Sequence, residues 1–255
     1  MIDRPTPAPA EAREPGTGRA LILGFDRNLV AIGVVSFLTD TATKMVYAIM
    51  PLFLLSLGAS KTTLSVIEGI AESTAALVKT ASGNLSDRAG RNRPFLIVGY
   101  AITALVTPLY AAVTAPVQVL LLRFVERFGK GVRTAPRDSL VAASATRGDT
   151  GRGFGLHKAM DNAGAIVGPL LAAGVLLWIP GGYRTVFLLA ALPAALGVVT
   201  VIVAVREATT PKARRYERFS LRDFPPRFYL LLGIVGLFTL GNSTDALLLV
   251  KASDV

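Results

Sequence analysis

Thirteen ionisable residues stand inside long apolar runs of this sequence, at spacings that stack them on helix faces. Asp40 and Lys44 are one helical turn apart. Glu68 and Glu72 are likewise, with Lys79 two turns further on. Arg123, Glu126, Arg127, Lys130, Arg133, Arg137 and Asp138 crowd a single run, and Asp161 lies in the next one, with His157 and Lys158 near its start. A carboxylate held away from water can carry a proton, and its neighbours tune when it does. Asp40, Glu72 and Asp161 lie nearest the middle of their runs and are the candidate proton carriers. Arg127 and Lys130 can hold an anionic group or serve as counter-ions. Lys44, Tyr47, Glu68, Arg123 and Glu126 complete a candidate polar cavity. Seven bases against six acids leave the charge of any bound solute open.

Other chemistry is hard to find. The chain has no cysteine, which excludes disulfides, thiolate metal sites and cysteine nucleophiles. No metal-ligand spacing, cofactor motif or catalytic triad appears. Gly151-Arg152-Gly153-Phe154-Gly155 follows no strand, so it does not read as a dinucleotide site. Ser60-Lys61-Thr62-Thr63 has the tail of a phosphate loop without its opening glycines and reads as an outer loop. His157, the one histidine, reads as a residue at a helix start. The net charge of +10 invites a nucleic-acid reading, but the bases gather at the ends of apolar runs and in short loops, where they act as membrane topology signals.

The elements that must position these residues are helices. A helix crosses a hydrocarbon core of about 30 Å in roughly 20 residues. Seven spans fit: about Leu29–Leu57, Leu64–Leu85, Phe95–Val113, Val117–Ala142, Phe154–Trp178, Thr185–Val205 and a seventh from Phe228 that is still apolar at Val250. Connections alternate between nearly uncharged and arginine-rich, which places the N-terminus and the basic loops in the cytoplasm of a cell-membrane protein. The first twenty residues hold Pro, Glu and Arg and lack the apolar core of a secretion signal. The organisation expected is a disordered tail at 1–28, a six-helix bundle at 29–205, a basic linker at 206–227 and the start of a second bundle at 228–255. Asn242 and Asp245 in that last segment call for partners from helices beyond it.

An ion at the centre of a lipid-facing helix costs about 2.5–3.5 kcal/mol on insertion scales. The fourth span therefore requires its charges to face protein or water. At about 100° per residue its seven ions fall within roughly 140° of arc, and Glu68, Glu72 and Lys79 share a stripe about 40° wide. Spans one, two, four and five should line a polar interior, with three and six at the periphery in lipid.

Three stretches resemble the major facilitator superfamily. Gly83-Asn84-Leu85-Ser86-Asp87-Arg88-Ala89-Gly90-Arg91-Asn92-Arg93 is similar to its signature loop between helices two and three. Arg127-Phe128-Gly129-Lys130-Gly131-Val132-Arg133 resembles its fourth-helix motif, and the longer stretch from Glu126 through Asp138 looks like one bacterial subgroup. Gly164-Ala165-Ile166-Val167-Gly168-Pro169 looks like the fifth-helix motif of its exporters and proton antiporters. The subgroup more often has an acid where this sequence has Lys44. The resemblance implies an all-α, multi-pass membrane fold of two six-helix bundles around a central site, of which this chain holds the first bundle and an incomplete seventh helix. It implies secondary active transport of a small solute, as proton-coupled export by alternating access, with Gly83, Asp87, Arg88, Gly90, Arg91, Arg133 and Arg137 gating and Gly164, Gly168 and Pro169 shaping helix five. Asp87 is expected to reach Arg133 or Arg137. The implied partners are the lipid bilayer, a small solute, protons and a missing C-terminal bundle, with no nucleic acid, cofactor or metal and no enzymatic activity. A truncated or half-size membrane protein that needs a partner chain and does not itself transport is the alternative.

Overall fold

The computed structural model describes residues 21–22, 24–145, 150–208 and 225–241. Seven α-helices follow a short antiparallel ladder of β1 (Leu21–Ile22) and β2 (Phe25–Asp26), turned at Gly24 with φ 78°. They are α1 (Arg27–Ser56), α2 (Lys61–Ala89), α3 (Arg93–Leu109, extended by a 3₁₀ turn at Tyr110–Ala112), α4 (Pro116–Ser144), α5 (Thr150–Trp178), α6 (Tyr183–Ala204) and α7 (Pro226–Gly241). By length and composition α1, α3 with its 3₁₀ turn, α5 and α6 can cross a membrane. The helices α2 and α4 are equally long at 29 residues, but they carry the charged faces.

The helices start earlier than the apolar runs suggest, and at α1 and α2 a polar residue caps the start. The Asp26 carboxylate accepts from the Asn28 amide at 2.7 Å to begin α1. The Ser60 hydroxyl accepts from the Thr63 amide at 3.1 Å to begin α2. Residues 21–22 and 24–28, expected within a disordered tail, thus form the ladder and the start of α1. Gly90 ends α2 in the left-handed conformation, φ 64°, which glycine adopts without strain. The start of α3 draws its cap from far along the chain: the Glu207 carboxylate accepts from the amides of Asn92 and Arg93, at 2.9 Å each. Residues 1–20, most of the expected linker (209–224) and 242–255, with Asn242 and Asp245, lie outside the described residues.

Packing sorts the helices into two layers. Helix α1 lies against α5 and α6, and α4 against α2 and α3, while α3 also meets α6. One apolar core joins Met45, Ile49, Phe53 and Leu54 of α1 to Val186, Phe187 and Ala190 of α6, with the rings of Phe53 and Phe187 edge-on at 5.0 Å. A second joins Leu29, Ile32 and Val35 to Leu96, Leu140 and Val201. Behind these cores, α3 and α6 present an apolar exterior in which Leu105 is 69% and Val203 78% exposed. Such a surface suits lipid rather than water.

Candidate functional site

On the opposite face from that exterior, α1, α2, α4 and α5 enclose a polar cavity of about 470 Å³. Neither α3 nor α6 contributes to its lining. The sequence arcs therefore translate into the arrangement that the cost of buried ions demands.

One wall is an ion network across the α2–α4 seam. Arg123 is 1% exposed. Its Nε and Nη2 donate to Glu68 Oε1 at 3.0 and 2.6 Å, and its Nη1 to Glu126 Oε2 at 3.1 Å. The Tyr110 hydroxyl donates to the same Glu126 oxygen at 2.8 Å. One turn along, Arg127 Nη1 meets Glu72 Oε1 at 2.9 Å and its Nη2 lies 3.7 Å from Glu68 Oε2. Glu68, a candidate for the cavity wall on sequence, stands instead behind Arg123 as a buried counter-ion, because its side chain is turned into the helix seam. Lys79, on the same stripe of α2, is exposed and outside the lining.

The α1–α5 wall carries the carboxyl pair. Asp40 and Asp161 lie within hydrogen-bonding reach of each other. Lys158 Nζ donates to Asp161 at 2.8 Å, and Arg137 Nη1 is 4.0 Å from the same carboxylate. Two carboxyl groups so placed can hold one proton between them. Nearer the α2–α4 wall, two cations lie over the Tyr47 ring, Lys44 Nζ at 5.3 Å and the Arg123 guanidinium carbon at 5.4 Å from its centre. Lys130 also lines the cavity, and its ammonium makes no hydrogen bond or ion pair among the described residues.

Close approach of the helices depends on glycine. A Cβ on Gly168 would stand 2.6 Å from the Thr41 carbonyl oxygen, and one on Gly164 would collide with that of Phe37. Pro169 follows inside α5. Gly129 and Gly131 serve α4 in the same way on opposite sides, against Ile102 of α3 and Ala75 and Val78 of α2. Gly83 fits against Ala135, where a Cβ would meet another at 3.1 Å. At the end of α2, Asp87, Arg88 and Arg91 are exposed. Arg133, a gating candidate on sequence, is buried; it donates to the Gly99 carbonyl at 3.1 Å and to Thr103, with its guanidinium 4.7 Å from the Tyr100 ring. Arg137 faces Asp138 and Asp161.

A profile of the Major Facilitator Superfamily matches residues 32–250. This chain belongs to that superfamily. It is therefore a multi-pass membrane protein with the helical fold of the superfamily's transporters. An uncharacterized MFS-type transporter of Methanocaldococcus jannaschii is 27% identical over 90% of this chain and 58% of its own length. An uncharacterized protein of Mycobacterium tuberculosis is 30% identical over 87% of this chain and 56% of its own. The multidrug resistance protein MdtG of Klebsiella pneumoniae is 27% identical over 64% of this chain and 40% of its own. Among solved structures, a POT family transporter in complex with 5-aminolevulinic acid superposes with TM-score 0.66 at 18% identity, over 91% of this chain and 48% of that one. The chain thus spans about half the length of the superfamily members it matches.

Several residues of the site leave little signal in the sequence. Tyr110, Tyr100 and Thr103 lie on a span without ions, and only their hydrogen-bonding side chains in an apolar run mark them. His157 reads as a helix-start residue, but α5 already begins at Thr150, and the ring is buried against α1 with Nε2 2.8 Å from Ser36 Oγ. Glu207 falls inside the expected linker.

Proposed function

We propose that this chain supplies one bundle of a secondary active transporter, which exports a small solute in exchange for protons by alternating access. The observation that carries this reading is the Asp40–Asp161 pair on the cavity wall, flanked by Lys158 and Arg137. A proton placed on the pair removes a negative charge from that wall and weakens its hold on the two cations. The electrostatics of the cavity then change with proton load, and this is the differential that coupling requires. Glu72 is less suited to the role, since Arg127 already holds it at 2.9 Å. Resemblance to a protein named for multidrug resistance supports export as the direction. The second bundle completes the site, and the bias of bases puts the N-terminus and the α2–α3 turn in the cytoplasm.

Proteoliposomes test this. The chain, alone and joined to a second bundle, is reconstituted with a loaded mixture of small metabolites and an imposed proton gradient, and mass spectrometry reads which solutes leave. Gradient-dependent efflux is expected only with both bundles. Asp40→Asn should reduce it to background while solute exchange persists, and Glu72→Gln should leave it largely intact. Full gradient-driven efflux in Asp40→Asn would remove the pair from the coupling role. Efflux by the 255-residue chain alone would show that one bundle suffices.

A further inference from the structure

We infer that the cavity selects a small anionic solute, seated between the ammonium groups of Lys44 and Lys130. This rests on the transport reading above. Its basis is how charge is distributed once every pairing is counted, which the sequence alone leaves near balance.

The cavity lining holds seven bases and four acids. Two further acids, Glu68 and Asp138, sit just outside it and are paired with lining arginines. Six acids against seven bases leave an excess of one positive charge. That excess has a definite location. The guanidiniums of Arg123 and Arg127 are bound by Glu68, Glu72 and Glu126. Arg133 is bound to α3 through Thr103 and the Gly99 carbonyl. Arg137 and Lys158 are engaged with Asp138 and Asp161. Of the cations that line the cavity, Lys44, which lies over the face of the Tyr47 ring at 5.3 Å, and Lys130, which has Glu72 and Asp40 in its surroundings, make no ion pair of 4.0 Å or less among the described residues.

An ammonium within a membrane bundle and without a carboxylate partner is costly unless water or a ligand satisfies it. Both lysines face the cavity, one from α1 and one from α4, so one carboxylate, sulfonate or phosphate group between them would neutralise the surplus. A cationic solute of equal size would meet the surplus positive charge instead.

Benzoate and benzylammonium share a body and differ in sign, and saturation-transfer NMR detects weak binding to the chain in nanodiscs. Benzoate is expected to bind saturably and benzylammonium not at all. The Lys44→Gln/Lys130→Gln double variant should weaken benzoate binding on the order of tenfold or more, and Lys44→Arg/Lys130→Arg should retain it. The arginine variant separates lost charge from lost folding. Benzylammonium binding as strong as benzoate, no benzoate binding, or benzoate binding unchanged in the glutamine variant would overturn the assignment. So would loss of benzoate binding when the second bundle is joined, because a carboxylate from that bundle would then occupy the lysines. None of these results bears on gradient-driven efflux, which stands or falls in the proteoliposomes.

Discussion

Arg123→Leu is expected to destabilise the bundle by about 3–5 kcal/mol, the cost of breaking a buried ion pair from one side. The arginine is 1% exposed and bridges α2 and α4 through Glu68 and Glu126. Its loss leaves two carboxylates without their main cation, although Arg127 remains 3.7 Å from Glu68. Tyr110 still donates to Glu126, but one hydrogen bond does not replace a guanidinium. Thermal unfolding of the purified protein in detergent reads the effect. The Arg123→Leu/Glu68→Leu double variant should be less destabilised than the sum of the single changes, since it removes both ends of the pair. A loss below about 1 kcal/mol in Arg123→Leu would mean that the network contributes little to holding α2 and α4 together.

A second large effect is expected at the α1–α5 contact. Alanine normally stabilises a helix relative to glycine by about 1 kcal/mol. At Gly164 and Gly168 the sign should reverse, because a Cβ would press on the carbonyl oxygens of Phe37 and Thr41, and backbone cannot move aside as a side chain can. Gly164→Ala and Gly168→Ala should each cost about 1–3 kcal/mol and push Asp161 away from Asp40, since both carboxyls hang on these two helices. Gly174, on the same helix, is the control, because a methyl group there would meet nothing within 4 Å. Gly174→Ala should be neutral or mildly stabilising. Equal effects at all three positions would dissociate the fifth-helix motif from close packing.

The layer arrangement is legible in the sequence because the physics behind it is severe. Ions in apolar spans must turn away from lipid, so α2 and α4 could only face inward, and the ion-free α3 and α6 could only face out. The pairing of the ions is not legible. Glu68 and Glu72 lie on one stripe, yet one is buried behind Arg123 and the other stands at the cavity edge, a difference set by how α2 and α4 lean together around Gly131 and Ser82. Nor can spacing show that Asp40 and Asp161, 121 residues apart like Ser36 and His157, meet across α1 and α5. That register follows from Gly164 and Gly168, whose motif on its own speaks only of packing. Glu207 escapes because a helix cap supplied from far along the chain has no local sequence signature.

The charged face of α1, α2, α4 and α5 is expected to meet water within the membrane while α3 and α6 meet lipid. The chain has no cysteine, so single cysteines report position by position. Thr43→Cys and Asn162→Cys lie on the cavity lining. Leu105→Cys and Leu192→Cys lie on the outer faces of α3 and α6, where the leucines are 69% and 64% exposed. In membrane vesicles, a charged, membrane-impermeant thiol reagent is expected to label the two cavity positions and spare the two outer ones despite their exposure. Labelling at Leu105→Cys and Leu192→Cys, with Thr43→Cys and Asn162→Cys protected, would contradict the account.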